Sequence, residues 1–519
     1  MKLETLLGTL DITSDDIVSA IPFDELKTLD ISGIAYDSRK VLPGFIFVAI
    51  QGALTDGHRY LAEAEKSGAL VAVVEQTDAA VPLPQIQVKS SRRALSGLSA
   101  AWFGYPARDM VMTGITGSNG KTTTAMMLDT IFSVNRIAAG MVGTIFYRIG
   151  DKIESADLTT PESLELQGIL RAQADYGFTR SIMEVSSISS EQCRVADIVF
   201  DVMAFNNVTR EHIDQHGSFE AYLDAKTSLM TRLPASSIAV IGADDPQIMA
   251  RCSQLAARTI SFGLLNKDAD VCASGLDLST GVASFQLEIR RPLPTLGGRL
   301  EPITVPVKLQ VAGLNSVYNA LSAMTMALVQ GIAPEQAAAG IAAYTGVERR
   351  FQRVFNGAFQ IYDDHFGNAG NIRMSLQTIE RMDKKKLHLA FAVRGNRGVT
   401  INREIAEELA RWRDKLPWGS LIVTMSRDVT TPKDDVKQAE ADVLLDTLER
   451  AGYAFTVVDT LQDAVEQIVA EAEPGDVVIL GGAQGMDPGA RFALKYLLKR
   501  DASLDEAAVM APLDGRICG

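Results

Sequence analysis

Residues 111–124 read VMTGITGSNGKTTT, and the organisation of the whole chain follows from how that stretch is read. Val111 and Met112 begin an apolar run, Gly114, Gly117 and Gly120 follow, and Lys121 opens a series of helix formers. The order is strand, glycine-rich turn, helix N-terminus. Such a turn lets backbone N–H groups close on phosphate oxygens, and the helix dipole favours their negative charge. Gly117, Ser118, Asn119 and Gly120 supply the cradle, Lys121 reaches the outer phosphates, and Thr122 or Thr123 offers a hydroxyl to Mg²⁺. The general pattern G-x-x-x-x-G-K-[ST] asks for glycine at position 115, where this chain has Ile115.

Downstream of the loop, strands alternate with helices. RSIMEVSS is a strand running into Glu184, FDVMAFNNVT a strand running into a polar turn, GSFEAYLDAKTSLM a helix, and SSIAVIGADD a further strand. Such alternation argues for a mostly parallel sheet, whose ligands sit at the carboxyl ends of the strands. Glu184, His212 and the loop then share one rim, a setting suited to a triphosphate and Mg²⁺. Taken singly, Glu184 fits a solvated strand end as well as a ligand, and His212 fits a loop residue equally well. Residues 265–312 are rich in β-formers and read as antiparallel strands. GLNSVYNALSAMTMALVQG follows as a helix with Asn315 and Asn319 on one face. PEQAAAGIAAY is another helix.

Upstream, residues 1–107 read as a small α/β domain with strands in ISGIAYDSRK, GFIFVAI and ALVAVVE and a helix in HRYLAEAEKSGA. Its polar stretches DSRKVLPG and QGALTDGHRY are compatible with ordinary turn chemistry. Residues 346–519 form a second alternation, with strands FQIYDD, LHLAFAV, SLIVTM, AFTVVD and GDVVILGG. No G-x-G-x-x-G follows its first strand. The loop VRGNRGVTINR carries Arg394, Arg397 and Arg403 and reads as a solvated loop or an anion site. The expected architecture is therefore α/β in three domains: 1–107, a central P-loop mononucleotide-binding domain at 108–345, and a C-terminal Rossmann-like domain at 346–519.

With 519 residues the chain exceeds a single core. Its 47% hydrophobic and 22% charged residues describe a soluble globular protein. A net charge of −14 argues against a nucleic-acid partner. Cys193, Cys252, Cys272 and Cys518 are scattered without C-x-x-C, so neither a zinc site nor a disulfide framework is indicated. The N-terminal stretch lacks a long apolar segment, and no run of eighteen apolar residues suggests a membrane span. The expected location is cytoplasmic.

These stretches together resemble the Mur ligases, ATP-dependent amide-forming enzymes of cell-wall precursor synthesis, and most nearly those of the MurE type. DSRKVLPGFIFVAIQGALTDGHRYLAEA is similar to the uridine-nucleotide-binding domain of that family, which implies substrate contacts at Ser38 and Arg39. GITGSNGKTTT resembles its ATP loop, which also lacks the glycine at the position of Ile115. TTPES resembles a segment contacting the glycopeptide, implying roles for Thr159, Thr160 and Pro161; EVSS, Gln192 and Arg194 resemble the substrate- and metal-contacting strand end that includes Ser186. NNVTREHIDQHGSFEAYLDAK resembles the stretch whose histidine, here His212, serves Mg²⁺. Its lysine, here Lys226, is carbamylated in relatives and would hold a second Mg²⁺. GLNSVYNALSA resembles the segment bordering the adenine.

The resemblance implies that Lys121, Glu184, His212 and Lys226 carry the chemistry, with Thr122, Glu184, His212 and Lys226 about the metals. Asn315, Asn319, Arg350, Asp364 and Arg397 would grip the nucleotide. The implied ligands are ATP, Mg²⁺, a UDP-sugar peptide or similar acid, and an amino acid, acting on a monomer.

The third domain departs from the family pattern. Asp-Tyr-Ala-His-x-Pro is replaced by Asp364, His365, Phe366, Gly367, Asn368 and Ala369. Asp-Asn-Pro-Arg is missing from 424–431, Gly-Lys-Gly-His-Glu is missing from 481–487, and Ile188 stands where histidine usually follows EVSS. Three functions remain open from the residues: a MurE-type ligase, a paralogue joining an unusual amine or acid outside standard peptidoglycan synthesis, and a catalytically silent nucleotide-binding regulator.

Overall fold

A computed structural model describes the protein except for residues 14–15, 53–54, 209–218, 279–281, 515 and 517–519; for Phe219, Ala221, Gln254 and Ala312 only the backbone is described. The chain divides into two compact units, one of residues 1–125 and 136–261, the other of residues 126–135 and 262–519.

The first unit holds two sheets. One comprises β1 (Ile17–Val18), β2 (Gly33–Ala35), β3 (Phe45–Val48), β4 (Val71–Val74) and β5 (Gln85–Gln87) in the order β1-β5-β4-β3-β2. All pairs are parallel except β1 with β5. Every residue of β4 is buried, which is why VAVV reads as a continuous apolar run instead of an alternating one. The helix Ser91–Trp102 packs Leu95 and Leu98 against Ile46, Val48, Val71 and Val73, and Ser90 Oγ caps it by accepting from Arg93 N. HRYLAEAEKSGA is not one helix: Gly57–Tyr60 winds as a 3-10 turn capped by Asp56, and the α-helix covers only Leu61–Lys66.

The second sheet carries the glycine loop. Its strands are β6 (Val111–Thr116), β7 (Ala139–Val142), β8 (Phe146–Ile149), β9 (Lys152–Ser155), β10 (Arg180–Glu184), β11 (Val202–Phe205) and β12 (Ile238–Gly242). Within this unit their order is β12-β11-β6-β10-β7-β8-β9, parallel from β12 to β7 and closed by the antiparallel β8–β9 hairpin. The chain leaves β6 toward β7, inserts β10 between them, and then crosses to β11 on the other side of β6. That reversal creates a switch point at the carboxyl end of β6, where an open α/β sheet leaves a crevice. Glu184 pairs with Ile115 and Phe205 with Thr116, so three strands end level with one another.

The second unit holds the last two residues of β13 (Arg258–Gly263), together with β14 (Val271–Asp277), β15 (Val282–Ile289) and β18 (Ile303–Ala312), with β14, β15 and β18 antiparallel as their composition suggests. The short hairpin of β16 (Leu293–Thr295) and β17 (Gly298–Leu300) interrupts them. Helices Leu314–Val329 and Pro334–Ala343 follow. The last sheet consists of β19 (Gln352–Asn356), β20 (Gln360–Asp364), β21 (Leu387–Ala392), β22 (Trp418–Thr424), β23 (Thr456–Val458) and β24 (Val477–Gly482), ordered β19-β20-β24-β21-β22-β23. It is parallel except for the edge strand β19, and its core is split between the two faces of the sheet. Among the described residues no helix is long and apolar enough to cross a membrane.

Candidate active site

The glycine loop leaves β6 and enters the helix Lys121–Val134. Gly120 takes a φ of +85°, a conformation costly for any residue with a Cβ. The loop is held from the side by the end of β11: Ser118 N donates to Asn207 O (2.9 Å), Asn119 N to Asn207 Oδ1 (2.9 Å), and Asn207 Nδ2 to Asn119 O (3.1 Å). Asn206 Nδ2 reaches Thr124 Oγ1 at 3.2 Å. From below, Tyr222, fully buried, meets Ser118 Oγ at 2.8 Å through its hydroxyl. Lys121 Nζ donates to the carbonyls of Gly117 (2.8 Å) and Ser118 (3.2 Å), folded back over the loop.

Glu184 ends β10 and is fully buried. Its carboxylate accepts from Thr122 Oγ1 (2.8 Å), Thr144 N (2.8 Å) and Thr144 Oγ1 (2.9 Å). Thr159 Oγ1 lies 3.2 Å from Thr144 Oγ1, and Thr160 Oγ1 donates to Glu184 O at 2.8 Å. A buried carboxylate ringed by hydroxyls beside a phosphate loop is a hard-oxygen donor set, the kind Mg²⁺ prefers. Gly143 makes this arrangement possible, because a Cβ there would lie 2.6 Å from Glu184 Oε1.

Lys226, on the helix Phe219–Thr227, is 3% exposed; its Nζ donates to Gly117 O at 2.9 Å and stands 4.8 Å from the centre of the Tyr222 ring. Lys121 and Lys226 thus meet at one carbonyl. His212 lies outside the described residues.

Next to this cluster, Arg194 spans the predicted glycopeptide segment. It donates to Thr160 O (2.8 Å) and Gln192 Oε1 (2.7 Å) and pairs with Glu162 (2.7 Å), which also faces Arg92 at 3.4 Å. Ser186 Oγ caps the short helix Ser187–Glu191, and Pro161 is buried. Tyr36, just past the end of β2, donates to Glu165 at 2.8 Å, and burial pushes its phenol pKa up. Ser38 is buried, whereas Arg39 is exposed and holds Asp37 through two contacts of 2.9 and 2.7 Å.

The second unit holds the remaining predicted residues. Asn315 and Asn319 lie in the first two turns of the helix Leu314–Val329, with Asn319 buried. Arg350 and Asp364 belong to one cluster. Asp364 ends β20 and is buried; it accepts from His365 N (2.8 Å), Phe351 N (3.2 Å) and Ser375 Oγ. Burial pushes its pKa up to about 6 against the lowering effect of Ser375, Arg350 and the two amides. Burial also holds His365 well below its usual range, reinforced by the charges of Arg350, Arg349 and Arg394.

The arginine-bearing loop expected to be solvated or to bind an anion already holds one from the chain itself. Asn396 N, Arg397 N and Gly398 N donate to the carboxylate of Glu440 at 2.9, 2.8 and 2.6 Å, and Arg397 Nη2 pairs with Asp434 at 3.2 Å. Burial raises the Glu440 pKa, but the amides of Lys437, Gly398, Asn396 and Arg397 outweigh it and leave the group below its usual range. Arg427 is largely exposed, 3.9 Å from Asp459, and Asp428 caps the helix Leu461–Glu471.

Thr144, Tyr222, Glu162 and Glu440 were not singled out by sequence. Thr144 follows only a short apolar run with a glycine inside it, and Glu440 lies more than forty residues from the loop it fills.

Three family models match the chain: "Mur ligase family, catalytic domain" over residues 30–103, "Mur ligase middle domain" over 115–327, and "Mur ligase, glutamate ligase domain" over 349–484. The chain is 30% identical over 480 residues to a UDP-N-acetylmuramoyl-L-alanyl-D-glutamate–2,6-diaminopimelate ligase of Listeria monocytogenes serotype 4b, covering 90% of this chain and 93% of that one. It is 32% identical over 464 residues to the protein of the same name from Bacillus licheniformis, covering 87% and 89%. A solved structure of a ligase of that name superposes with a TM-score of 0.65 at 20% identity, covering 93% of both chains. The glycine loop, its buried Thr122–Glu184 contact and the three matched domains belong together: the chain is a member of the Mur ligase family of ATP-dependent ligases.

Proposed function

We propose that this ligase is of the MurE type and joins an amino acid to the free carboxylate of a UDP-N-acetylmuramoyl peptide, in the cytoplasm, through an acyl phosphate. The observation that carries the chemistry is the buried Glu184 carboxylate held by Thr122 and Thr144 at the mouth of the glycine loop. The domains run over 1–107, 108–345 and 346–519.

A substrate carboxylate oxygen attacks the γ-phosphorus of ATP, and ADP leaves. The amine then attacks the acyl carbon, sheds a proton to solvent, and phosphate departs with the oxygen that made the first attack. Both steps demand positioning and charge neutralisation. The loop amides of 117–122 cradle the phosphates, and Lys121 leaves its two carbonyls to meet the γ-phosphate. Thr122, Glu184, His212 and a carbamylated Lys226 would hold two Mg²⁺ ions, which would supply charge neutralisation at the phosphates. Lys226 is suited to carbamylation because its amine is buried beside a carbonyl and an aromatic face. Thr159, Thr160, Pro161, Ser186, Gln192 and Arg194 orient the peptide, and Ser38 and Arg39 meet the uridine nucleotide. Asn315, Asn319, Arg350, Asp364 and Arg397 would contact the nucleotide.

A second reading keeps the chemistry and changes the amine or the acid. The exposure of Arg427 and the commitment of Asp428 to a helix cap favour it, since neither offers a buried clamp at 424–431. Incubating the protein with ATP, Mg²⁺, UDP-N-acetylmuramoyl-L-alanyl-D-glutamate and a panel of amino acids tests both. ADP release that requires the UDP-dipeptide and one amine supports the first reading. Release only with a different acid supports the second, and no release with any pair supports a silent regulator.

A further inference from the structure

The last described residue of the chain is built into the third domain. Arg516 lies beyond the short 3-10 turn Ala511–Leu513, and its side chain is 3% exposed. Its Nη1 stands 2.9 Å from Asp363 Oδ2, and its Nη2 donates to Gln352 Oε1 at 2.5 Å. Gln352 in turn donates to Pro512 O at 3.1 Å and is the cross-strand partner of Asp363 on β19 and β20.

Asp363 is fully buried in β20, directly before Asp364. On its other side stands Arg349, whose Nε is 3.4 Å from Asp363 Oδ1. Arg349 then binds the end of β24, donating to Gly482 O, Ala483 O (3.0 Å) and Asp487 Oδ1 (2.5 Å). Two guanidiniums and two carboxylates, Arg516, Asp363, Arg349 and Asp487, therefore balance in a single chain that is buried except at Asp487. A buried carboxylate deprived of one cation is costly, so the cluster resists the loss of any member.

We propose that Arg516 is a positioning residue for the ligase reaction: the C-terminal tail latches the carboxyl ends of β20 and β24 through Asp363 and Arg349. The latch fixes the two residues that carry the site on this side of the sheet. Asp364 follows Asp363 in the strand, and Arg350 follows Arg349, which adopts a left-handed φ of 59°. A shift of Asp363 displaces the amides of Phe351 and His365, both of which bond Asp364. This role rests on the proposed participation of Arg350 and Asp364 in nucleotide binding.

The test uses the full chain and three variants: Arg516→Met, Arg516→Lys, and the charge-balanced double variant Asp363→Asn with Arg516→Met. ADP release is measured with the UDP-dipeptide and the productive amine, together with amide hydrogen exchange over 349–351 and 364–366. In Arg516→Met, kcat is expected to fall at least tenfold, KM for the UDP-dipeptide to stay within twofold, and exchange in both segments to quicken. Arg516→Lys, which keeps the charge, restores kcat to within threefold. The double variant relieves the unbalanced charge and folds, yet keeps the low kcat because the latch is still missing. Parental kcat and parental exchange in either Met-bearing protein overturn the proposal. A parent protein without ligase activity overturns the functional reading alone, because the exchange comparison still reports whether Arg516 orders the strand ends.

Discussion

Gly143→Ala perturbs the buried carboxylate without touching its chemistry. The new Cβ would stand 2.6 Å from Glu184 Oε1, whereas C···O contacts ordinarily begin at roughly 3.3 Å. The carboxylate must then retreat by about 0.7 Å, given that normal spacing. It cannot retreat without losing something: Oε1 accepts Thr144 N at 2.8 Å, and Oε2 accepts the hydroxyls of Thr122 and Thr144. One charge-assisted hydrogen bond lost at a buried site costs about 2–3 kcal/mol. A displacement of this size in a positioned group lowers turnover by about 10²-fold. The assay pairs steady-state ADP release, coupled to NADH oxidation, with urea unfolding followed by circular dichroism. Expected are a kcat lower by about two orders of magnitude and an unfolding free energy lower by about 2 kcal/mol. A variant with kcat within about threefold of the parent, against the 10²-fold expected, would show that Glu184 need not sit where it does, and the metal role assigned to it would be wrong.

Lys226→Ala removes the proposed carbamate; activity is expected to collapse and to return in part on adding acetate or formate, and full activity without additives removes Lys226 from the mechanism. Asp364→Asn tests the raised pKa: a carboxyl held at about 6 when folded, against about 3.9 when unfolded, binds more protons in the native state. Its effect on stability is therefore absent below pH 4 and becomes an increasing penalty as pH rises from about 4 to about 6, reaching about 3 kcal/mol. The parent should lose that much relative to the Asn variant between pH 4 and pH 7 in urea titrations, and parallel curves would contradict it. Glu440→Gln turns amide donors toward the amides of 396–398 and should cost about 2–3 kcal/mol. Because the native carboxyl is held below its usual range, that difference is present above the unfolded value and vanishes as pH falls through the folded one. The readouts are urea unfolding and amide exchange at the loop, and unchanged exchange there would contradict the assignment.

Much of this was legible in the residues because it is local. VMTGITGSNGKTTT had to be strand, turn and helix, and RSIME had to be a strand ending in a carboxylate, since apolar runs broken by glycine and charge leave few alternatives. Parallel alternation then brought Glu184 to the loop without any contact being known. What escaped were partnerships set by tertiary register. The β7–β8–β9 turn that delivers Thr144 is made of short strands interrupted by glycine, and nothing local marks Thr144 as a donor to Glu184. The loop at 395–398 carries arginines and looks open to an outside anion, but Glu440 reaches it from a separate helix. Arg516 and Asp363 lie more than 150 residues apart and meet only because β19, β20 and the tail pack together.

The claim on which all else depends is that a substrate carboxylate attacks ATP. Turnover with the UDP-dipeptide labelled with ¹⁸O in its reacting carboxylate measures this directly. One ¹⁸O atom is expected in each inorganic phosphate released during amide formation. Unlabelled phosphate would mean that water, not the substrate acid, cleaves the γ-phosphate, and would contradict the acyl-phosphate route.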